Sequence, residues 1–208
     1  MMQVESFRQQ LLAHDARCAL TDGVRSFSYR ELLDEVVRRQ QQLAAAGVQR
    51  LAIALDNGAD WLLWDLAALF AGLVCVPVPG FFTPAQQAHV LDTAGVDTLI
   101  TSWPQAFAAL GFADDGSGLL QRQVESPAAL PAGTLKITYT SGTTGQPKGV
   151  CLGADSMLAV AESLRAATSS SGIERHLCVL PLAVLLENLA GNYAPLLEGA
   201  CVCLPALA

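Results

Sequence analysis

Apolar residues recur at two spacings along the chain, and the two spacings alternate. Intervals of three and four residues predict amphipathic helices, because residues so spaced share one helix face. The predicted helices run from Val4 to His14, from the capping box of Ser28 to Gly47, from Asp56 or Asn57 to Gly72, from Thr83 to Ala94, and from Asp155 or Ser156 to Ala166. Most carry a cap residue or a terminating glycine at the expected place.

Short continuous apolar runs separate the helices and predict buried strands. They lie at residues 50–55, 74–78, 96–101, 135–139, 149–152 and 176–180. Near the N-terminus, Asp22-Gly23 stands between shorter runs at 18–20 and 24–27, which is a strong signal for a β-hairpin. The alternation predicts an α/β fold in which a mostly parallel sheet has helices on both faces.

The segment Tyr139–Gly149, with the sequence YTSGTTGQPKG, carries the most distinctive chemistry of the chain. Its glycines let backbone amides approach a ligand, and its hydroxyls and Lys148 supply donors for anionic oxygens. The composition alone would also suit a flexible linker, but strand-like runs flank the segment and favour a phosphate-binding loop. It is not the common P-loop, because Lys148 follows a proline and the chain continues as strand.

This segment resembles the signature loop of the adenylate-forming superfamily, which contains acyl-CoA synthetases, peptide-synthetase adenylation domains and luciferase relatives. The strings FSYREL at 27–32 and ALFAGLVCVPVP at 68–79 resemble further family motifs. The resemblance implies that residues 1–208 form the N-terminal portion of an AMP-binding domain. The expected architecture is therefore the N-terminal part of the acyl-CoA synthetase-like fold.

In that family a carboxylate attacks the α-phosphorus of Mg-ATP, pyrophosphate leaves, and the acyl group passes to a thiol. The resemblance thus implies ATP, Mg²⁺ and CoA (or a carrier-protein thiol) as cofactors, with a carboxylic acid as substrate. It assigns no catalytic residue and no metal ligand within this chain. The residues it implies for holding the β- and γ-phosphates are Thr140, Ser141, Gly142, Thr143, Thr144, Gly145 and Lys148.

Two positions depart from the family pattern. Gly153-Ala154 stands where relatives often carry a Ser/Thr-His pair, and Ala183 begins an aliphatic stretch where acyl-CoA synthetases often carry an aromatic residue or a histidine. The aliphatic stretch either lines a slot for a fatty acyl chain or forms core, and core is the favoured interpretation because Leu182, Leu185, Leu186 and Leu189 have helical spacing. Glu187 is interpreted as a solvated or hydrogen-bonding helix residue rather than a catalytic acid.

The family's Tyr-Gly-x-Thr-Glu segment and late catalytic lysine do not occur in this chain. We therefore expect part of a longer enzyme, inactive in adenylation alone, whose partner is the remaining C-terminal portion. Residues 196–204 are expected to form a helix end and an inner strand whose partner does not follow it in this chain. We therefore expect an exposed apolar edge and self-association. The alternative is a non-catalytic nucleotide-binding module or a degenerate adenylate-forming relative.

Composition narrows these alternatives only a little. With 52% hydrophobic residues and a net charge of −7, the chain has ample core material and no basic patch for nucleic acid. The six cysteines lack paired CxxC spacing and are interpreted as reduced core residues.

Prolines and Asp65 interrupt the most apolar segment, 61–82, so no membrane span is expected. The N-terminus lacks signal-peptide features, which predicts a cytoplasmic location.

Overall fold

A mixed sheet of seven strands forms the main layer of the computed structural model, which describes residues 2–114, 116–140 and 146–205. All strands, including those of a second sheet, are numbered along the chain. They are β1 (Cys18–Thr21), β2 (Ser26–Ser28), β3 (Arg50–Ala54), β4 (Val74–Pro77), β5 (Thr98–Thr101), β6 (Ala113–Asp114), β7 (Leu120–Gln121), β8 (Thr134–Thr140), β9 (Lys148–Gly153), β10 (Arg175–Leu177) and β11 (Cys201–Cys203).

The helices pack around these strands and match the predicted helical segments closely. The α-helices are α1 (Val4–Ala13), α2 (Tyr29–Ala45), α3 (Ala59–Ala71), α4 (Pro84–Thr93), α5 (Ala154–Thr168) and α6 (Ala194–Glu198). Short 3₁₀ segments lie at Pro104–Leu110 and Ser169–Ser171, and a π-helical segment covers Glu187–Tyr193. In the part of the chain described, no helix combines the length and apolar content needed to cross a membrane.

The large sheet has the order β6-β7-β5-β3-β4-β8-β9. Its four central strands, β5, β3, β4 and β8, run parallel, whereas β6, β7 and β9 pair antiparallel at the two sides. Parallel strands are normally buried on both faces by helices. The predicted α/β class with a mostly parallel sheet is confirmed.

Alternate residues of β3 point into two different hydrophobic clusters, one on each face of the sheet. Leu51 and Ile53 pack with residues of α2 and α3, while Ala52 and Ala54 pack with residues of α4 such as Val90. This is the two-residue period of a strand that is buried on both sides. The two faces of the large sheet are therefore both covered.

The second sheet has four strands in the order β10-β11-β1-β2. The hairpin predicted around Asp22-Gly23 is confirmed as β1 and β2. β11 is the inner strand predicted for residues 196–204, but the prediction that it lacks a partner is wrong, because β10 and β1 pair with it in parallel on its two sides. Both partners come from earlier in the chain, so the exposed edge proposed as a surface for self-association is not at this strand.

Two predicted helix starts also need correction. Helix α3 begins after Gly58 and α5 after Gly153, and neither helix has a side-chain cap. The predicted starts, Asp56 or Asn57 for α3 and Asp155 or Ser156 for α5, are therefore not the caps. By contrast, Ser28 and Thr83 both form complete capping boxes. A side chain that is able to cap a helix can form other hydrogen bonds instead. Asn57 is an example, as described below.

The six cysteines are all free thiols, as predicted, but only three of them are core residues. Cys75, Cys178 and Cys201 are buried, whereas Cys203 is half-buried and Cys18 and Cys151 are exposed. Successive side chains of a strand point to opposite faces of the sheet, so an apolar run can contain both buried and exposed residues. The sequence interpretation did not distinguish the two faces.

Candidate functional site

The segment that resembles the signature loop connects β8 to β9, as the flanking apolar runs predicted. The two strands form an antiparallel hairpin in which Thr140 and Lys148 are the last paired residues, and both are exposed. Of the predicted phosphate-holding residues, these two lie in the described structure. Ser141, Gly142, Thr143, Thr144 and Gly145 lie outside the described residues.

Helix α4 contacts the chain on both sides of the loop. The hydroxyls of Thr93 and Tyr139 are hydrogen-bonded at 2.8 Å, and the His89 Nε2 atom lies 3.1 Å from the Pro147 carbonyl oxygen. Burial raises the pKa of Tyr139, although the hydrogen bond with Thr93 opposes this. The two ends of the loop are thus both held against α4.

Gly149 is required where β9 crosses the side chains of β8. A Cβ atom at this position would lie 3.0 Å from both the Ile137 Cγ2 atom and the Tyr139 Cζ atom. Contacts so short force a neighbour to move. The glycine therefore lets β9 lie close over the Tyr139 ring, which in turn contacts α4.

A cavity of about 400 Å³ opens at the same edge of the sheet. Its lining residues follow directly on the carboxyl ends of β3 and β4 or belong to the segment before the π-helical turn. They are Leu55, Asp56, Asn57, Gly80, Phe81, Pro181, Leu182 and Ala183. Parallel α/β sheets bind ligands outside the carboxyl ends of their strands, and β8, which leads into the loop, is parallel to β4.

Asn57 joins two walls of this cavity. Its side-chain Nδ2 donates to the Leu180 carbonyl oxygen at 2.7 Å, and its Oδ1 accepts from the Leu182 amide at 2.9 Å. The sequence interpretation gave this residue a local capping role, and no local pattern signals a partner more than a hundred residues away. Asn57 instead holds the segment that follows β10 against the end of β3.

The aliphatic stretch after Ala183 divides between cavity, core and surface. Leu182 and Leu189 are buried, as the core reading predicted, but Leu186 is 62% exposed. The structure contradicts one alternative in the interpretation of Glu187, because the residue is not solvated. Its side chain is only 7% exposed, and its Oε1 atom has no hydrogen-bond partner among the described residues.

A buried polar network surrounds Lys136 of β8, and the sequence analysis did not predict it. Lys136 on β8 donates to Asp65 at 2.7 Å and also contacts the Asn188 side chain and, at 3.3 Å, the Tyr193 hydroxyl. Asn188 and Tyr193 donate to the other carboxylate oxygen of Asp65. One signal for this network was present in the sequence, namely that Asp65 and Lys136 are each the single charge in an apolar run. Burial, and then the Asp65 charge, raise the pKa of Tyr193 well above its usual value.

Comparisons with known proteins agree with this architecture. A family model described as AMP-binding enzyme matches residues 7–208. Sulfoacetate–CoA ligase of Cupriavidus necator is 30% identical over 94% of this chain and 41% of its own length. Nonribosomal peptide synthetase 4 of Gibberella zeae is 30% identical over 96% of this chain and 3% of its own length.

A solved structure shows the same fold at lower identity. O-succinylbenzoate coenzyme A synthetase of Bacillus subtilis, in complex with AMP, superposes with a TM-score of 0.77 at 24% identity. The match covers 96% of this chain and 55% of the synthetase. The chain thus spans about half of this structural relative and less than half of the two curated relatives above.

Proposed function

Because the chain belongs to the AMP-binding enzymes, we propose that it takes part in the ATP-dependent activation of a carboxylic acid. In the proposed reaction an acid oxygen bonds to the α-phosphorus of ATP, the bond to pyrophosphate breaks, and an acyl-adenylate forms. The acyl group then passes to the thiol of CoA or of a carrier protein. The relatives described above, two of them named as CoA ligases or synthetases and one as a peptide synthetase, support this reaction class.

The observation that carries the proposal is the position of the β8–β9 hairpin. Thr140 and Lys148 lie exposed at the end of the hairpin that carries the loop, and β8 is parallel to β4, whose carboxyl end borders the 400 Å³ cavity. Cavities of this size suit small ligands. A phosphate group at the hairpin and an acid in the cavity would therefore approach one another along one edge of the sheet.

We assign the pyrophosphate-holding role to the residues that the resemblance implies. Lys148 and the hydroxyl of Thr140 would neutralise and orient the β- and γ-phosphates, and Ser141, Gly142, Thr143, Thr144 and Gly145 would complete the loop. Phosphoryl-type transfer depends chiefly on positioning and charge neutralisation. Mg²⁺ would enter with ATP, and this chain is assigned no ligand for it.

The proposed acid is aliphatic, with a fatty acid as one member of the class. Support comes from the apolar part of the cavity lining, Leu55, Phe81 and Leu182. The polar residues Asp56 and Asn57 on the same wall limit how much of the ligand can be hydrocarbon. One relative is named for sulfoacetate and another for O-succinylbenzoate, so small polar acids belong in the same test.

We further propose that these 208 residues act as the N-terminal portion of a longer enzyme and do not catalyse adenylation alone. The lengths of the relatives support this, since the chain spans 41% of the sulfoacetate ligase and 55% of the O-succinylbenzoate synthetase. The purified chain is expected to give no acid-dependent exchange of labelled pyrophosphate into ATP. Measurable exchange would contradict this part of the proposal.

Replacement of Lys148 tests the phosphate-holding role directly. Lys148→Gln should weaken binding of pyrophosphate and Mg-ATP at least about tenfold, because a charge-assisted hydrogen bond contributes about 1.5–3 kcal/mol. Isothermal titration calorimetry measures both affinities. Arg38→Gln, which removes an exposed cation from α2, is the matched control and should leave binding unchanged. Equal affinities for Lys148→Gln and the parent chain would overturn the assignment.

The runner-up function is a non-catalytic nucleotide-binding module. Ala154 and the aliphatic stretch after Ala183 depart from the family pattern and favour it mildly. Pyrophosphate exchange by the product of the whole gene, tested against aliphatic, sulfonated and aromatic acids, separates the two. Binding of ATP without exchange for any acid would favour the module, and the acid that supports the fastest exchange would identify the substrate class.

A further inference from the structure

Three side chains of the kind that ligate metals meet beside the π-helical segment. His176 lies on β10, and Cys178 follows two residues later, with its amide donating to the Cys203 carbonyl oxygen at 2.9 Å. Residues two apart in extended chain point to the same side. Glu187 is the first residue of the π-helical segment, and the ligand atoms of the three residues all lie within 4.8 Å of one another.

The Glu187 carboxylate is poorly satisfied in this position. The side chain is 93% buried, and Oε1 has no hydrogen-bond partner in the described part of the chain. The neighbouring Cys178 thiol is fully buried. A buried carboxylate oxygen that is left without a partner loses its hydration and gains nothing in exchange. Such an atom in a native structure calls for a partner, and none of the described residues donates a hydrogen bond to it.

Gly191 leaves room for these groups. A Cβ atom at this position would lie 2.9 Å from Glu187 Oε1 and 3.1 Å from Cys178 Sγ. The thiol also lies 3.1 Å from the Gly191 carbonyl oxygen and 4.0 Å from Asn192 Oδ1. Both ligand atoms therefore face one small space, which the absence of a side chain at Gly191 keeps open.

We propose that His176, Cys178 and Glu187 bind a zinc ion. Zinc takes imidazole, thiolate and carboxylate ligands at about 2.0–2.3 Å in tetrahedral geometry, which places ligand atoms about 3.3–3.7 Å apart. Contraction of the present group by about 1 Å reaches that spacing, and the half-buried His176 has the most freedom to move. Water or the Asn192 side-chain oxygen fills the fourth position. On binding, the Sγ–Zn bond replaces the S–H bond, and the proton passes to solvent.

The ion would cross-link the two ends of a segment that forms one wall of the cavity. Cys178 and Glu187 bracket the segment 179–186, and Pro181, Leu182 and Ala183 within it line the cavity. Asn57 already holds this segment by two hydrogen bonds. The site is distinct from the magnesium ion that accompanies ATP, because thiolate and imidazole ligands select zinc over magnesium.

Cobalt(II) is a suitable probe, since it enters zinc sites and a cobalt–thiolate bond gives a strong near-ultraviolet charge-transfer absorption. The 208-residue chain is expected to develop this band on titration with cobalt and to lose it when zinc is added. Cys178→Ser should abolish the band, whereas Cys151→Ser, which alters an exposed thiol on β9, should retain it. A band that persists in Cys178→Ser, or a parent chain without one, overturns the proposal.

Two further variants keep the test decisive if Cys178→Ser does not fold. His176→Asn changes a half-buried residue and should fold, as judged by circular dichroism. It and Glu187→Gln are each expected to weaken zinc affinity at least about tenfold, measured by competition with a zinc indicator. Zinc should also raise the melting temperature of the parent chain and not that of His176→Asn. Parent-like zinc affinity in both variants overturns the proposal.

Discussion

Asp65 and Lys136 form an ion pair that is almost completely withdrawn from water, with side-chain exposures of 0% and 2%. Two charges can be buried together only when their remaining hydrogen-bonding capacity is also met. Here Asn188 and Tyr193 supply the additional contacts from the π-helical segment. The network therefore connects α3, β8 and the π-helical segment through four side chains.

Replacement of one partner of this pair is expected to be severe. Lys136→Met or Asp65→Asn should lower the free energy of unfolding by about 3–5 kcal/mol, because the remaining charge would be buried without its partner. Urea denaturation followed by circular dichroism measures the loss. Arg30→Met, which breaks the exposed pair with Asp15, is the control and should cost at most about 1 kcal/mol.

A double variant distinguishes the ion pair from simple packing. In Asp65→Asn/Lys136→Met, which combines the two single changes, neither charge remains, so the loss should be smaller than the sum of the two single losses. Strict additivity would show that the two charges do not stabilise each other in the folded protein.

At the scale of elements, the β8–β9 hairpin depends on one close crossing. Gly149→Ala would place a methyl group 3.0 Å from Ile137 and Tyr139. It should lower the free energy of unfolding by about 1–3 kcal/mol and, by shifting the hairpin, weaken pyrophosphate binding. Val150→Ala changes the next residue, whose side chain is 45% exposed, and should alter neither property. Denaturation and calorimetry on both variants provide the comparison, and parent-like stability of Gly149→Ala would contradict it.

The elements that the sequence predicts correctly are those defined by neighbouring residues. The capping boxes at Ser28 and Thr83 and the hairpin around Asp22-Gly23 all depend on contacts within a few positions. The start of α3 was wrong because Asn57 bonds to Leu180 and Leu182, which local pattern cannot reveal. The predicted position of the loop between two strands also depended on neighbouring residues. Its two ends, Thr140 and Lys148, lie on opposite strands of one hairpin.

Over the whole molecule, Asp60 links three parts of the fold. Its carboxylate accepts from Arg25 of the N-terminal hairpin at 2.9 Å and from Arg39 of α2 at 2.6 Å, and it belongs itself to α3. Burial alone would raise the pKa of Asp60, but the hydrogen bonds and charges of the two arginines lower it overall. The ionised carboxylate is therefore favoured by folding.

A lowered pKa in the folded state fixes the sign of the pH dependence. The stabilisation from Asp60 is present above the unfolded-state pKa, about 4, and is lost as the pH falls through the lower folded-state value. Asp60→Asn should therefore reduce stability at pH 7 more than at pH 3, measured by urea denaturation at both pH values. Asp34→Asn, which alters an exposed carboxyl of α2, is the control. An equal loss at both pH values would contradict the assignment.

Contacts between distant segments explain what the sequence could not predict at this scale. Lys136 and Asp65 are 71 positions apart, and each looks like an isolated charge in an apolar run. Likewise, residues 201–203 read as an unpartnered strand because both neighbours, β1 and β10, precede them in the chain. Periodicity identifies which face of an element is buried but not which element covers it.

The inner position of β11 has a consequence for the order in which the protein is made. Every strand of the large sheet lies between residues 50 and 153, so that sheet can form while the rest of the chain is still being synthesised. The small sheet cannot, because Leu20 pairs beside Val202 and closing so long a loop is entropically costly. The N-terminal hairpin can therefore pair with β11 only after residue 203 has been synthesised, and ribosome-bound chains that end before residue 200 should expose the edge of β1 to chaperones.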